Sequence, residues 1–431
     1  MVMIVAMGLC AISVDVETAF LHGDLEEEIY MKCPDGMKND EAYAYGKVED
    51  KDCLKLSKSI YGLVQAARQW WKKFTSEMKQ FGFKTNAIDP RLLYREDEAG
   101  ICIIALYVDD SICAGHQAAI DKTIKEMKTV FNIKVQGNLD DYLGCDIKFN
   151  NDRSEIWIGQ PSIVDGLEKR FGKMLPAKSY KTPSTPGWLA VRPSKHDKTL
   201  DEVNQKEFRG GVGMLLHLVK HSRPDIANAT RELSKLMDAA TEGQLKELRR
   251  LIKFVIDTKW KGLKVNPELK EDKMWTLKGY SDSDYCADKE TRRSITGFII
   301  YLLGVAISWK SKGQRGVTLS TTEAEYVALS EAVREIKFIT QVLVSMNLPV
   351  EYPIMVHVDN VGAIFLANNK TTSDRTKHVD IRHHFVREYI EDGIVKIIFV
   401  MSSENDADDF TKNLPGEAYE KHSNKFVYKK S

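Results

Sequence analysis

Tyr107-Val108-Asp109-Asp110 sets two adjacent carboxylates in a turn between two apolar runs, Ile101–Leu106 and Ile112–Ala114. Two anions at such a tip are costly unless a cation binds there. A divalent ion is the usual answer and points to phosphoryl transfer; aspartate as a plain turn residue is the alternative. A two-metal site needs a second carboxylate from another element. Asp15, at the end of the apolar run Ala11–Val14, is the candidate, with capping of the following element as its other reading. Neighbouring side chains diverge along an extended chain, so Asp109 is expected to be the main ligand of the doublet and Asp110 the accessory one.

A second set of acids lies in the C-terminal half: Asp282, Glu325, Asp359 and Asp408. Asp282 follows the strand-like Met274–Tyr280 and Asp359 the alternating Pro353–Val358, and acids at strand ends collect on one edge of a sheet. Glu325 stands four residues before Leu329 on a stripe continued by Ala332, Val333, Ile336, Ile339 and Leu343. A carboxylate on that inward face wants a partner or a metal. Each acid has a plainer role open to it. Thr322-x-x-Glu325 reads as a capping box, Asp359 as a cap for a helix near Val361, and Asp408 as an acid at the positive end of a helix dipole.

The elements that must carry these acids are legible in outline. The chain has 431 residues, 43% of them hydrophobic, enough core for two or three domains. Lys plus Arg and Asp plus Glu both total 62, so any nucleic-acid partner must meet local basic patches rather than a net charge. Seven scattered cysteines without a CxxC pair read as reduced core residues, neither a disulfide framework nor a zinc site. No apolar run reaches membrane-spanning length, and the apolar Met1–Val14 lacks a basic leader, so no membrane partner and an intracellular, cytoplasmic or nuclear location are expected. Residues 1–173 mix strands with amphipathic helices such as Ala66–Phe81. The turn-rich stretch Leu175–Pro193 marks a linker, and Val212–Lys261 is helical and basic, so 174–272 reads as linker and connection. A second α/β pattern fills 273–415, and a basic, loosely ordered tail is expected over 416–431.

Three ordered motifs then carry a resemblance. The run Asp15-Val-Glu-Thr-Ala-Phe-Leu-His-Gly-Asp-Leu-Glu-Glu-Glu-Ile-Tyr-Met resembles the palm motif of copia-type LTR-retrotransposon reverse transcriptases. Ile60-Tyr61-Gly62-Leu63-Val64-Gln65-Ala66-Ala67-Arg68-Gln69-Trp70 and the unaltered Leu106-Tyr107-Val108-Asp109-Asp110 are similar to two further motifs of that family. The C-terminal half resembles the RNase H domain of the same elements. The motifs are Gly279-Tyr-Ser-Asp-Ser-Asp-Tyr, Arg292-Arg-Ser-Ile-Thr-Gly, Ile307-Ser-Trp-Lys-Ser-Lys, Ser320-Thr-Thr-Glu-Ala-Glu-Tyr, Lys377-His-Val-Asp-Ile-Arg-His-His-Phe and Ala407-Asp-x-x-Thr-Lys.

The resemblance implies an α/β (α+β) fold: a polymerase palm and thumb-like region over 1–173, a helical connection, and an RNase H-like mixed sheet flanked by helices over 273–415. It implies an RNA-directed DNA polymerase with an RNase H acting on RNA–DNA hybrids, each site holding two Mg2+, with Mn2+ as the substitute. Asp15, Asp109 and Asp110 would be catalytic metal ligands of the first site, and Asp282, Glu325, Asp359 and Asp408 of the second, in preference to Asp284, Glu323 and Asp409. The partners would be an RNA template, a DNA primer, the RNA–DNA hybrid and dNTPs. Phe20 would take the steric-gate position or simply pack in the core, and Gly62 would admit close template backbone or simply make a turn. Arg249, Arg250 and Lys253 on the Leu248–Leu263 helix would track a hybrid backbone or line a solvated face, with Lys310, Lys312 and Arg315 around Trp309 as a second grip. His378, His383 and His384 are candidate proton shuttles or structural histidines.

The chain departs from the family in three places. Ala67 replaces a proline, Val64 replaces a basic residue, and the resemblance implies a fingers segment before the palm that is expected to be largely missing, since only about a dozen residues precede Asp15 here. Weak or absent DNA synthesis is therefore expected, with the nuclease half the safer activity; the other reading is an inactive, truncated transposon relic that at most binds nucleic acid.

Overall fold

The computed structural model describes residues 1–34, 53–369 and 380–429, with the side chains of 380–384 left out. The chain divides into two compact units, Leu9–Leu139 and a larger one of Met1–Gly8 with Asp140–Ser431.

In the smaller unit an antiparallel six-stranded sheet runs in the order Lys84–Thr85, Leu92–Asp97, Gly100–Tyr107, Asp110–Gly115, Cys10–Val16, Ile133–Asn138. The helices Ala66–Gln80 and Gln117–Val130 cover one face, where Trp70, Phe74, Met78, Ile120 and Met127 pack on Val14, Val16, Cys102, Ile104, Leu106 and Cys113. Side chains alternate across a strand, so burying Val14 and Val16 turns Asp15 to the opposite face.

The larger unit holds two sheets and a helical layer. The helices Pro161–Phe171, Glu202–His221, Ala227–Ser234 and Glu242–Asp257 share one core built on Phe171, Phe208, Leu215, Leu248 and Ile252. An antiparallel sheet beside them runs Val427–Lys429, Lys261–Val265, Ile156–Gly159, Cys145–Phe149, Asp141–Tyr142. The second sheet runs Val305–Gly313, Ile295–Leu302, Leu277–Asp284, Ile354–Val358, Val395–Phe399; its first three strands are antiparallel and the last two join in parallel. That is the strand order of an RNase H-like sheet, with the long helix Thr321–Ser345 packed on it through Leu329, Val333 and Ile336.

The compact units divide at 139/140, inside the stretch 1–173, because the 156–159 strand and the 161–171 helix bury their apolar residues among the connection helices and strands. Two boundaries differ from those read in the sequence. The basic helix ends at Asp257, and Lys261–Val265 is a strand. Residues 416–429 are not a loose tail: Gly416–Ser423 is helical, Val427–Lys429 pairs with Lys261–Leu263, and Tyr419, Phe426 and Val427 are buried. No helix among the described residues is long and apolar enough to cross a membrane.

Candidate functional site

The first cluster forms where the Cys10–Val16 strand lies between two neighbours. Its ladder sets Asp15 opposite Asp110 on one side and opposite Lys134 on the other. Val108 and Asp109 make the two-residue tip between strands that pair Tyr107 with Asp110. Val108 has φ +58°, a left-handed conformation that a β-branched residue resists. The Trp70 indole N–H donates to the Val108 carbonyl, so the tryptophan of the second motif ties down the strained tip of the third. Tyr61 reports the charge gathered here: burial, then the carboxylates of Asp109 and Asp15, push its phenol above the ordinary range. The Phe20 ring lies 4.6 Å from that of Tyr61, tilted, so Phe20 borders the acids and also packs on the core. Gly62 has φ +98°, which only glycine adopts freely, and an added Cβ would meet nothing within 4 Å. Val64 is fully exposed where the family carries a cation.

The second cluster is tighter and drier. Asp282 sits within the Leu277–Asp284 strand, 1% exposed. The parallel register pairs Tyr280 with His357, and two steps further along it brings Asp359 level with Asp282. Glu325 comes from the first turns of the Thr321–Ser345 helix, 6% exposed. Its capping alternative is excluded, since Ser320 caps that helix through the Glu323 N–H while the Glu323 carboxylate accepts from the Leu319 N–H. Asp359 is likewise spared, because Asn360 caps the Val361–Asn368 helix through the Ala363 N–H. Asp408 lies in the 3-10 turn Asp406–Phe410, capped by Asn405. Gly297, paired to Asp282 and belonging to the Arg292–Gly297 motif, lets that turn approach: a Cβ there would stand 2.6 Å from Thr411 Cγ2 and 3.0 Å from the Ala407 carbonyl.

Asp282, Glu325 and Asp359 each offer an oxygen, all within 4.8 Å of one another, and among the described residues no other three acids, histidines or cysteines do so. Asp15, Asp109 and Asp110 therefore adjoin without converging to that degree. Burial, then Asp282 and Asp359, push the Glu325 carboxyl from 4.5 up to about 10, against the Ser283 N–H that donates to its Oε1 at 3.2 Å. Burial, then Asp282, push Asp408 up to about 7 in spite of Lys412. Burial also raises Asp359, whose Oδ2 accepts from the Ser402 hydroxyl at 2.5 Å. Lys412 Nζ stands 3.2 Å from Asp282 Oδ2 and 3.1 Å from Asp408 Oδ1, and the Thr411 hydroxyl donates to Asp282.

Whether these residues fit a divalent ion turns on one atom. Glu325 Oε2 is buried and has no hydrogen-bond partner among the described residues, an orphaned acceptor that native interiors rarely leave. With two further carboxylates in reach, the set is what a hard cation takes, so the residues fit. Asp284 and Asp409 stand apart in role: Asp284 is the strand's half-buried last residue, and Asp409 is buried with its pKa raised by desolvation and by Asp225.

The cations of the basic helix face have partners within the chain. Arg250 donates to Thr182 Oγ1 at 2.9 Å and lies over the Tyr180 ring, clamping the 180–184 strap. Arg249 pairs with Glu242 at 3.3 Å, Lys253 with Asp257 at 2.5 Å and Lys259 with Asp165 at 2.5 Å. Arg249, Lys253 and Lys259 thus carry carboxylate partners at the surface, while Arg250 is held by the strap. Near Trp309, Lys310 pairs with Glu331 at 2.6 Å, and the indole donates to the Val219 carbonyl at 2.9 Å. His378 lies outside the described residues, and His383 and His384 fall on the Asp380–Glu391 helix without described side chains. Tyr61, Thr411 and Lys412 stand inside motifs quoted from the sequence but carry no role of their own there, and Ser402 lies outside every motif; the i, i+4 spacing of Asp408 and Lys412 is a further signal for that pair.

Residues 3–184 match the reverse transcriptase (RNA-dependent DNA polymerase) family. Over 411 residues, 94% of the chain, the sequence is 34% identical to the retrovirus-related Pol polyprotein from transposon TNT 1-94 of Nicotiana tabacum, and spans 30% of that polyprotein. It is 29% identical to the putative transposon Ty5-1 protein of Saccharomyces cerevisiae, over 75% of the chain and 100% of the yeast protein. Among solved structures, LC11-RNase H1 isolated from compost matches at 16% identity and a TM-score of 0.25, covering 34% of the chain and 96% of that protein. The palm-type motifs, the RNase H-like sheet and the relatives thus agree: the chain belongs to the Pol polyprotein family of copia-type retrotransposons and carries its reverse transcriptase domain.

Proposed function

We propose that the larger unit hydrolyses the RNA strand of RNA–DNA hybrids, with Asp282, Glu325, Asp359 and Asp408 holding two Mg2+. The reading is carried by Glu325, a buried carboxylate with an unpartnered oxygen inside a cluster of like charges. Bound divalent ions supply an activated water and charge neutralisation at the scissile phosphate. Asp282 is the charge that pushes each of the three other acids up most, which supports it as the ligand the two positions would share. The Ser283 N–H and the Ser402 hydroxyl orient Glu325 and Asp359. Burial of Asp282 and Glu325 excludes bulk water from the inner side of the site.

The smaller unit supports the second half of the reading, addition of dNTPs to a DNA primer on an RNA or DNA template. Asp15 and Asp109 would be its principal metal ligands and Asp110 the accessory one, with Phe20 beside the sugar and Gly62 leaving room for the template. The test is cleavage of a labelled RNA·DNA hybrid in Mg2+ by the full chain. Asp282→Asn and Asp359→Asn are each expected to abolish it; cleavage that survives both overturns the nuclease assignment. Primer extension with Asp109→Asn tests the palm in the same way.

A further inference from the structure

Among the described residues, Lys412 is the one cation in ion-pair contact with the acid quartet, and it touches two members at once. Its ammonium lies 3.2 Å from Asp282 and 3.1 Å from Asp408, whereas Glu325 and Asp359 have no ion-pair partner there. The quartet is thus asymmetric. One half, Asp282–Glu325–Asp359, gathers three oxygens within 4.8 Å around an orphaned acceptor. The other half, Asp282–Asp408, is bridged by a side chain whose stem leaves a turn at the spacing that stacks residues 408 and 412 on one face.

From this geometry we infer that Lys412 is a resident counter-ion that competes with a divalent ion for the Asp282–Asp408 position. The inference rests on the quartet being the metal-binding set proposed above. Lys412 neutralises the two carboxylates when the position is vacant, and its ammonium must swing out for a metal to take them. The side chain is 37% exposed, so a path outward exists. The two positions of the centre therefore fill in order, first at Glu325 and Asp359 and then, more weakly, at Asp408. Lys412 is in this sense a positioning residue that sets the metal concentration at which the second position is loaded.

The experiment is calorimetric titration of the full chain with Mg2+, without nucleic acid, together with thermal unfolding in chelator and in Mg2+. Wild type should show a tight and a weak event. Lys412→Met and Lys412→Gln should tighten the second by on the order of tenfold, since a unit charge about 3 Å away is removed, and the first by less, because Lys412 also touches Asp282. Lys412→Arg should keep it weak. In chelator both neutral variants should unfold at lower temperature than wild type, and in Mg2+ at equal or higher temperature. A merely structural lysine would lower both. An unchanged or weakened second event in both neutral variants overturns the inference while leaving the proposed function standing. A wild-type chain that binds no Mg2+ at all overturns both.

Discussion

Glu325→Gln separates the cost of the acid from its use. In the metal-free protein, burial, Asp282 and Asp359 move this carboxyl from 4.5 to about 10. Below about pH 4.5 folded and unfolded chains both hold the proton, and the residue costs nothing. Above it the unfolded chain releases the proton while the folded one keeps it, so stability falls by about 1.4 kcal/mol per pH unit until about pH 10. At neutral pH the cost from this group is about 3 kcal/mol, or roughly 6–12 °C in midpoint for a unit of this size. Glutamine keeps the shape of the protonated acid, its carbonyl still accepts from Ser283, and it cannot ionise. In chelator at neutral pH the variant should therefore be more stable than wild type by a few kcal/mol, with a flatter decline between about pH 5 and pH 8. In Mg2+ the order should reverse, because wild type gains the ion and the variant does not. Thermal unfolding by circular dichroism across this grid is the assay. A variant with the wild-type pH slope, or one that retains the Mg2+ gain, would refute the argument from desolvation and like charge.

Two further outcomes follow from packing. Gly297→Ala should cost about 1–3 kcal/mol by overpacking against Thr411 and Ala407, and should also weaken the Mg2+ gain by displacing Asp408; a full Mg2+ gain would show that the turn need not lie so close. Arg223→Leu should destabilise by about 3–5 kcal/mol, because Asp225, bonded to Arg223 at 2.8 and 2.9 Å, would be left buried without its cation. Chemical denaturation of the full chain measures it, and a loss under 1 kcal/mol would mean that the site admits water (roughly the cost of an exposed pair).

Much of the acid geometry was legible because acids at the ends of apolar runs obey strand and helix periodicity. Glu325 is the clearest example: its place on the Leu329–Leu343 stripe pointed inward before any contact was known, and the structure buries it. The capping box was misread by two residues, since Ser320-x-x-Glu323 and Thr322-x-x-Glu325 carry the same signal and only the helix start at Thr321 decides between them. Charge on the Glu242–Asp257 helix and just beyond it was visible, as was the i, i+4 pair of Lys253 with Asp257, but the distant partners were not. Thr182 lies 68 residues from Arg250 and Asp165 lies 94 from Lys259, and such contacts leave no local trace. The break at 139/140 and the ordered C-terminal segment were hidden for the same reason: both depend on which distant strand completes a sheet.

The last strand, Val427–Lys429, lies beside Lys261–Leu263, so the RNase H-like segment leaves the helical layer and returns to it before the chain ends. A fragment cut at 273 and 415 would discard Phe426 and Val427, which pack with Phe410 and Tyr301, and Tyr419, whose hydroxyl donates to Asp225. The compact unit that keeps these contacts together comprises Asp140 onward through the Val427–Lys429 strand, with Met1–Gly8. Any exchange of the RNase H-like segment between related chains would have to carry the connection along, so that the two travel together.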